Sequence, residues 1–267
     1  SFVNIQQGAI HLKANRSTIL FDLITVKDSR GGKYNISPEI RENSHFVMQN
    51  LTMTNNTIIF GGGIAFESHN SYVRLSSSNL TYNTVVGTPG EMFLNCGAFR
   101  LMPADDDESS TFIFENSYLA NNNGNNAGGA SVTVIQYGTS YIMQNNMFVD
   151  NNGYAGGGHY FTTNTSSNAF ANIINNTFIR NVAEFGAGLS VSLESLTPIE
   201  LIDNTFDSNE TPSGLFGGLY VATIPHDQNV SVIAYGNRGI NDTLYFEVPT
   251  ITVPAGQSIT IDGQFYI

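Results

Sequence analysis

The chain has one cysteine, Cys96, and no tryptophan. A lone cysteine excludes an intrachain disulfide, so burial must hold the fold together. With 267 residues, 41% of them hydrophobic, a core of that size is within reach. The compartment is therefore not decided by cysteine. Charge is scarce as well. Only 12% of residues are charged, about half the usual level for a soluble domain, which leaves solubility to Asn, Ser, Thr and Gly. The 10 basic residues are scattered and the net charge is −12. That balance excludes a nucleic-acid surface and an anionic membrane surface, both of which need clustered Lys and Arg. No run approaches the roughly 18 apolar residues of a membrane span. No basic-then-apolar leader begins the chain, and Ser1 in place of an initiator Met reads as a processed or trimmed terminus.

What is present is a repeat. The order N-x-[aromatic]-x-x-N, a short gap, a glycine pair and an apolar run recurs along the chain. Its clearest copies start at Asn116 (NSYLAN), Asn146 (NMFVDN), Asn176 (NTFIRN) and Asn204 (NTFDSN), with weaker ones at Asn50 (NLTMTN) and Ser78 (SNLTYN). The starts are spaced 28, 38, 30, 30 and 28 residues apart. The outlying 38 contains "VVGTPGEMFLN" and "MPADDDESS", read as loops at 85–95 and 102–110. The glycine half recurs in step, from "QGAIHL" at Gln7 through "GGGIAF", "NAGGASVTV", "GGGHYF" and "GAGLSV" to "FGGLYV" at Phe216.

Each unit holds three short runs rich in Val, Ile, Phe and Thr and bounded by Gly and Asn, the marks of strands, and no stretch has the spacing and caps of a helix. Three strands per unit at a constant period describe a parallel β-helix of about seven rungs, with equivalent residues stacked about 4.8 Å apart. The coil is taken as single-stranded and right-handed, by analogy with known coils. In this register Tyr118, Phe148, Phe178 and Phe206 form an inward aromatic column, and Asn121, Asn151, Asn181 and Asn209 a turn column in which Asn tolerates a left-handed backbone. Ala120, Asp150, Arg180 and Ser208 face outward, where Asp150 and Arg180 pair across rungs.

Here a family resemblance emerges. The glycine and FxxN pairing carried by Gly128-Gly129-Ala130, Gly217-Gly218-Leu219, Phe148–Asn151, Phe178–Asn181 and Phe206–Asn209 resembles the repeat of chlamydial-type polymorphic outer membrane proteins. The resemblance spans roughly Gly8 to Val221 and implies a β-helical, surface-exposed, adhesive passenger. Two departures stand beside it: no translocator-type barrel follows the coil, and the sequons point to a eukaryotic or viral glycoprotein.

The ends break the pattern. The expected coil covers residues 1–232, with 15–49 read as an insertion or cap. Residues 233–267 read as a C-terminal β cap, hairpin or extended arm, with Pro249 and Pro254 as punctuation. An apolar tail of this kind suits pairing with a neighbouring chain, giving a homo-oligomer or filament through the coil ends and the arm.

Sites for chemistry are few. The acidic run Asp105–Glu108 lacks the spacing of a calcium loop, Asp203 and Asp207 flank one repeat turn, and the five histidines are isolated in sequence. His159 falls where other units have Ile64, Leu189 and Leu219, so either the strand shifts to turn Tyr160 inward or one His enters the core. No catalytic set, cofactor or metal site is expected. Ten sequons are present, and those outside the expected ladder, Asn15, Asn35, Asn79, Asn164, Asn229 and Asn241, are the glycosylation candidates. Asn55 and Asn209 fall in the turn column and Asn50 begins a repeat. The reading is a non-enzymatic, secreted or cell-surface glycoprotein with a structural or adhesive role, making glycan or host-surface contact. The alternative is a carbohydrate-active β-helix, either a polysaccharide lyase or hydrolase or a glycan-binding module. A solvent-facing column of aromatics and carboxylates on adjacent rungs would favour that alternative, whereas the aromatics placed by the repeat point inward.

Overall fold

The computed structural model describes residues 2–3, 10–32, 34–59, 61–87, 96–103, 109–134, 138–163, 170–193, 198–214, 216–223, 231–248 and 250–266. Among these there is no helix. Parallel strands stack as a β-solenoid of about seven turns.

Each turn visits three stacks. The first runs from Ile10–Asn15 and Tyr34–Arg41 through Gly62–Ser68, Cys96–Pro103, Ala130–Val134, His159–Thr163 and Leu189–Leu193 to Leu219–Thr223. The second is a nine-stranded sheet from Thr18–Asp22 and His45–Gln49 to Ser231–Tyr235 and Thr250–Thr252. The third is built of three-residue strands such as Asn79–Thr81, Tyr118–Ala120, Met147–Val149, Thr177–Ile179 and Thr205–Asp207. Near the C-terminus the long strand Arg238–Glu247 serves two stacks, pairing with Thr205–Asp207 at one end and with Leu219–Thr223 at the other.

Two boundary expectations are corrected. Residues 15–49 are not an insertion, because Thr18–Asp22, Thr25–Lys27, Tyr34–Arg41 and His45–Gln49 pair in register with the turns that follow. The repeat is hidden there because Ser17, Ser29 and Ser44 occupy corner positions that later turns give to Asn or other Ser. The described residues between 233 and 266 form neither a hairpin nor a free arm. Thr250–Thr252 and Thr260–Tyr266 pair in parallel with strands of their own coil. Most of the loops expected at 85–95 and 102–110 lies outside the described residues, while rung partners across that stretch stand 39 residues apart against 27 in the preceding turns.

The aromatic column is real but one residue out of step at its first member. Leu119, not Tyr118, lies opposite Phe148; Leu119 is buried and Tyr118 faces out. Phe148, Phe178 and Phe206 stack nearly parallel, at 4.9 and 5.1 Å between centroids. Backbones must approach closely for this. A Cβ on Gly158 would lie 2.5 Å from the Gly188 carbonyl oxygen and 2.9 Å from the Phe178 ring, so glycine is required at that place.

The same one-residue shift applies to the asparagines. The corner ladder runs Asn56, Asn83, Asn122, Asn151, Asn181 and Asn209, and ends on Asp242. Asn122, not Asn121, is its member. The left-handed residue is not the ladder Asn but the one before it: Asn55, Tyr82, Asn121, Asp150, Arg180 and Ser208 have φ near +50°. That turn aims the next side chain inward. There its Oδ1 accepts from both the N–H and the Nδ2 of the rung above, so each buried amide is satisfied. Asp150 and Arg180 pair at 2.8 Å as expected, with Asn121 in the place foreseen for Ala120. A second ladder, Asn146, Asn176, Asn204 and Asn237, lines the corner between the second and third stacks.

His159 keeps register between Ala130 and Leu189 and points inward. Its Nδ1 lies 3.0 Å from the Ala130 carbonyl oxygen and its Nε2 3.4 Å from the Tyr141 hydroxyl. Burial pushes it down to about 3, so it is a neutral core residue.

Candidate functional site

The sequence-derived candidates scatter over the coil. Asn15, Asn79 and Asn241 are exposed and sit on three different parts of the surface. Asn35 is a correction: it is fully buried, with neither amide atom bonded, so no glycan reaches it in the folded coil. Asn164 and Asn229 lie outside the described residues, as does the acidic run Asp105–Glu108. Asn50 and Asn55 are exposed rather than locked in the ladder, and donate to Asp22 and Asp28. Asn209 is locked as foreseen. Asp203 and Asp207 belong to the two ends of one short strand, Asp203 at the left-handed corner before it and Asp207 as its last residue, accepting from the Ser208 hydroxyl.

The arrangement that stands out was not foreseen. On the outer side of the first stack, Tyr154, Phe185, Phe216, Tyr220 and Tyr245 form a continuous strip across the last rungs. Neighbouring centroids lie 6.1 Å (Tyr154–Phe185), 5.9 Å (Phe185–Phe216), 5.1 Å (Phe216–Tyr220) and 5.7 Å (Tyr220–Tyr245) apart. Phe185 also meets Tyr220 at 6.0 Å, and Phe216 meets Tyr245 edge-on at 4.9 Å.

Two local devices build the strip. Tyr154, Phe185 and Phe216 each come just before the glycines that make the tight entry into the next strand, so their rings hang off the corner of successive rungs. Tyr220 and Tyr245 alternate with the inward Leu219, Val221, Leu244 and Phe246 on paired strands, which turns them outward. Tyr154 is 42% and Phe185 37% exposed, an unusual cost for large apolar rings unless something covers them.

Polar groups border the rings. The Tyr220 hydroxyl donates to Glu247 at 2.9 Å. Partial burial first, and then the Glu247 carboxylate, raises the Tyr220 pKa, so the phenol stays protonated and the donor role is fixed. Ser131, Ser190 and Ser192 alternate outward on the same stack but are themselves buried, so the polar border of the rings is the Tyr220–Glu247 pair.

At its C-terminal end the strip meets a cleft of about 370 Å³ lined by Asn209, Glu210, Thr211, Gly214, Gly217, Asn241, Asp242 and Thr243. Its floor is the Asp242 carboxylate, which is only 5% exposed. Asp242 Oδ2 accepts from Asn209 N–H and Nδ2, and Oδ1 accepts from Thr243 N–H. Burial outweighs those bonds and pushes Asp242 up to about 6. No group of three or more metal-ligating side chains occurs among the described residues.

Scans against protein-family models, curated proteins and solved structures gave no match to this chain.

The strip carried a signal in the sequence. "GYAGGG", "EFGAG" and "LFGG" each place an aromatic one or two residues before the glycines, in the half of the repeat opposite the inward Phe column. The pairing of Tyr220 with Tyr245 had no such signal, because it depends on a strand that leaves one stack and enters another.

Proposed function

We propose that this chain is an extracellular, adhesive β-coil that binds a neutral glycan along the aromatic strip, without catalysing a reaction on it. The strip of five contacting rings, Tyr154 and Phe185 exposed and Phe216, Tyr220 and Tyr245 half-buried, is the observation that carries this reading. A sugar ring has apolar C–H faces and a hydroxylated rim. It therefore suits aromatic faces flanked by Tyr hydroxyls and a carboxylate, the mix of apolar lining and few polar groups typical of ligand sites. The rungs advance about 4.8 Å each, which is of the order of one sugar unit, so successive rings can meet successive units of a linear chain. A net charge of −12 favours a neutral glycan over an anionic one.

This reading keeps the adhesive role that the repeat resemblance implies and takes the glycan contact from the alternative. It does not require assembly through a C-terminal arm, since residues 250–252 and 260–266 are already paired within the coil. A neutral-glycan array probed with the folded coil, followed by calorimetry on the best ligand, tests it. Phe185→Ala and Tyr245→Ala should each weaken binding about tenfold, as loss of one stacking ring does. The exposed Asn152→Ala should leave it unchanged. A wild-type coil that binds no neutral glycan, or strip variants that bind as wild type does, would sink the proposal.

A further inference from the structure

The cleft beside the strip has a structural origin that no earlier turn shares. In the preceding turns the chain leaves the third stack through a loop, at residues 121–129, 150–158 and 180–188 and at the described residues 208–214 and 216–218, before entering the first stack. In the last turn that loop is missing. The chain runs from Ile240 through Asn241, at φ 49°, straight into Asp242, and the pairing with Thr260–Tyr266 shifts register at that point. Nothing among residues 241–243 covers the loop at 208–218 as each loop covers the one before it, so the polar edge of that loop opens to solvent as the cleft.

The cleft and the strip are one surface. Gly217 in the cleft follows Phe216 in the strip, and the Phe216 N–H donates to the Thr211 hydroxyl at 3.4 Å. Thr243 lies two residues before Tyr245 on the same strand and so on the same face. The lining is rich in acceptors. Asp242 accepts three hydrogen bonds where a carboxylate has about four lone-pair sites, and Glu210 is exposed at the rim. The exposed amide of Asn241 adds donors, and the Thr211 hydroxyl approaches that of Ser213 at 3.3 Å.

We infer that this cleft is a specificity-setting subsite that takes one neutral, hydroxyl-rich sugar unit at the end of the glycan held by the strip. Sugar hydroxyls donate to the Asp242 and Glu210 oxygens and accept from the Asn241 amide. The two carboxylates reject a uronic or sialic acid at that position, since a like charge would be desolvated against them. The inference rests on the reading that the strip holds a glycan.

The test is a length series in calorimetry, using cello- and manno-oligosaccharides from disaccharide to hexasaccharide, with wild type, the rim variant Glu210→Ala/Asn241→Ala, and Phe185→Ala. Both rim side chains are exposed, so the rim variant should fold, and its thermal midpoint is measured alongside. Wild type should gain affinity in one step at the length that first fills the cleft. The rim variant should lose that step, roughly tenfold in Kd for two lost hydrogen bonds, and still bind the shorter oligomers as wild type does. Phe185→Ala should weaken every length. A rim variant that matches wild type at all lengths while Phe185→Ala loses affinity overturns the subsite and leaves the strip reading standing. If no oligomer binds wild type, both fall together.

Discussion

Replacing Asn181 with Ala isolates what the buried amide ladder contributes. The Asn181 side chain takes part in four hydrogen bonds. Its Oδ1 accepts from Asn151 N–H and Nδ2, both at 3.0 Å, and its Nδ2 donates to the Phe148 carbonyl at 3.0 Å and to Asn209 Oδ1 at 2.9 Å. After truncation Asn209 Oδ1 still accepts from the Asn181 N–H. Two N–H groups of Asn151 are left without an acceptor in a site closed to water, its backbone N–H and one of the two Nδ2 hydrogens, while the other Nδ2 hydrogen keeps the Leu119 carbonyl. An orphaned buried donor costs about 1–3 kcal/mol, so the pair should cost about 2–6 kcal/mol, a large share of a typical folding free energy. Urea denaturation reads this as a lower midpoint with an unchanged slope. Asn152→Ala, next in sequence but exposed, should stay within about 0.5 kcal/mol of wild type. Asn181→Asp makes the argument sharper. A carboxylate accepts from Asn151 but cannot donate to Phe148 or Asn209, so it should be worse than Ala at neutral pH and recover in part at low pH, where the acid can donate once. If Asn181→Ala is no more costly than Asn152→Ala, the ladder does not hold the corner and the account given for it is wrong.

Three further outcomes follow from the same geometry. Leu119→Ala should cost about 2–5 kcal/mol and Tyr118→Ala almost nothing, which checks by denaturation that Leu119 and not Tyr118 continues the Phe column. Gly158→Ala should destabilise by more than about 1–3 kcal/mol, because its Cβ would lie 2.5 Å from a backbone oxygen that cannot move aside without breaking the rung. Asp242 has a folded pKa near 6 against about 3.9 in an unfolded chain, so the folded coil holds a proton that the unfolded chain has lost between those values. Stability from this group is full below about pH 4 and falls as pH rises to 6, by up to about 3 kcal/mol. Asp242→Asn should remove that slope, and a difference between the two proteins that does not vary across pH 4–6 would count against it.

The sequence by itself determined the architecture. A period near 30 residues, three β-prone runs per period and glycines at a fixed place leave a parallel coil as the solution, and the local chemistry at each place agrees with it. Phe148, Phe178 and Phe206 were legible as a column because the same residue type recurs at the same phase. Where residue type varies, the phase was lost. "NSYLANN" offers two Asn at its end and Tyr beside Leu, and only strand pairing shows that Asn122 and Leu119 are the inward members. In the first turns Ser stands where Asn stands later, so regular rungs looked like an insertion.

What the tertiary structure alone decided is how the candidate site is assembled. Tyr154, Phe185, Phe216, Tyr220 and Tyr245 are separated by about 30 residues or are only loosely phased in the chain, and they become neighbours because rungs stack. The cleft depends on a loop that the last turn does not have, which turns the end of a buried ladder into an opening. A repeat pattern records what each turn shares. The candidate surface is made where turns differ, and those differences acquire meaning only when the rungs are laid one on another.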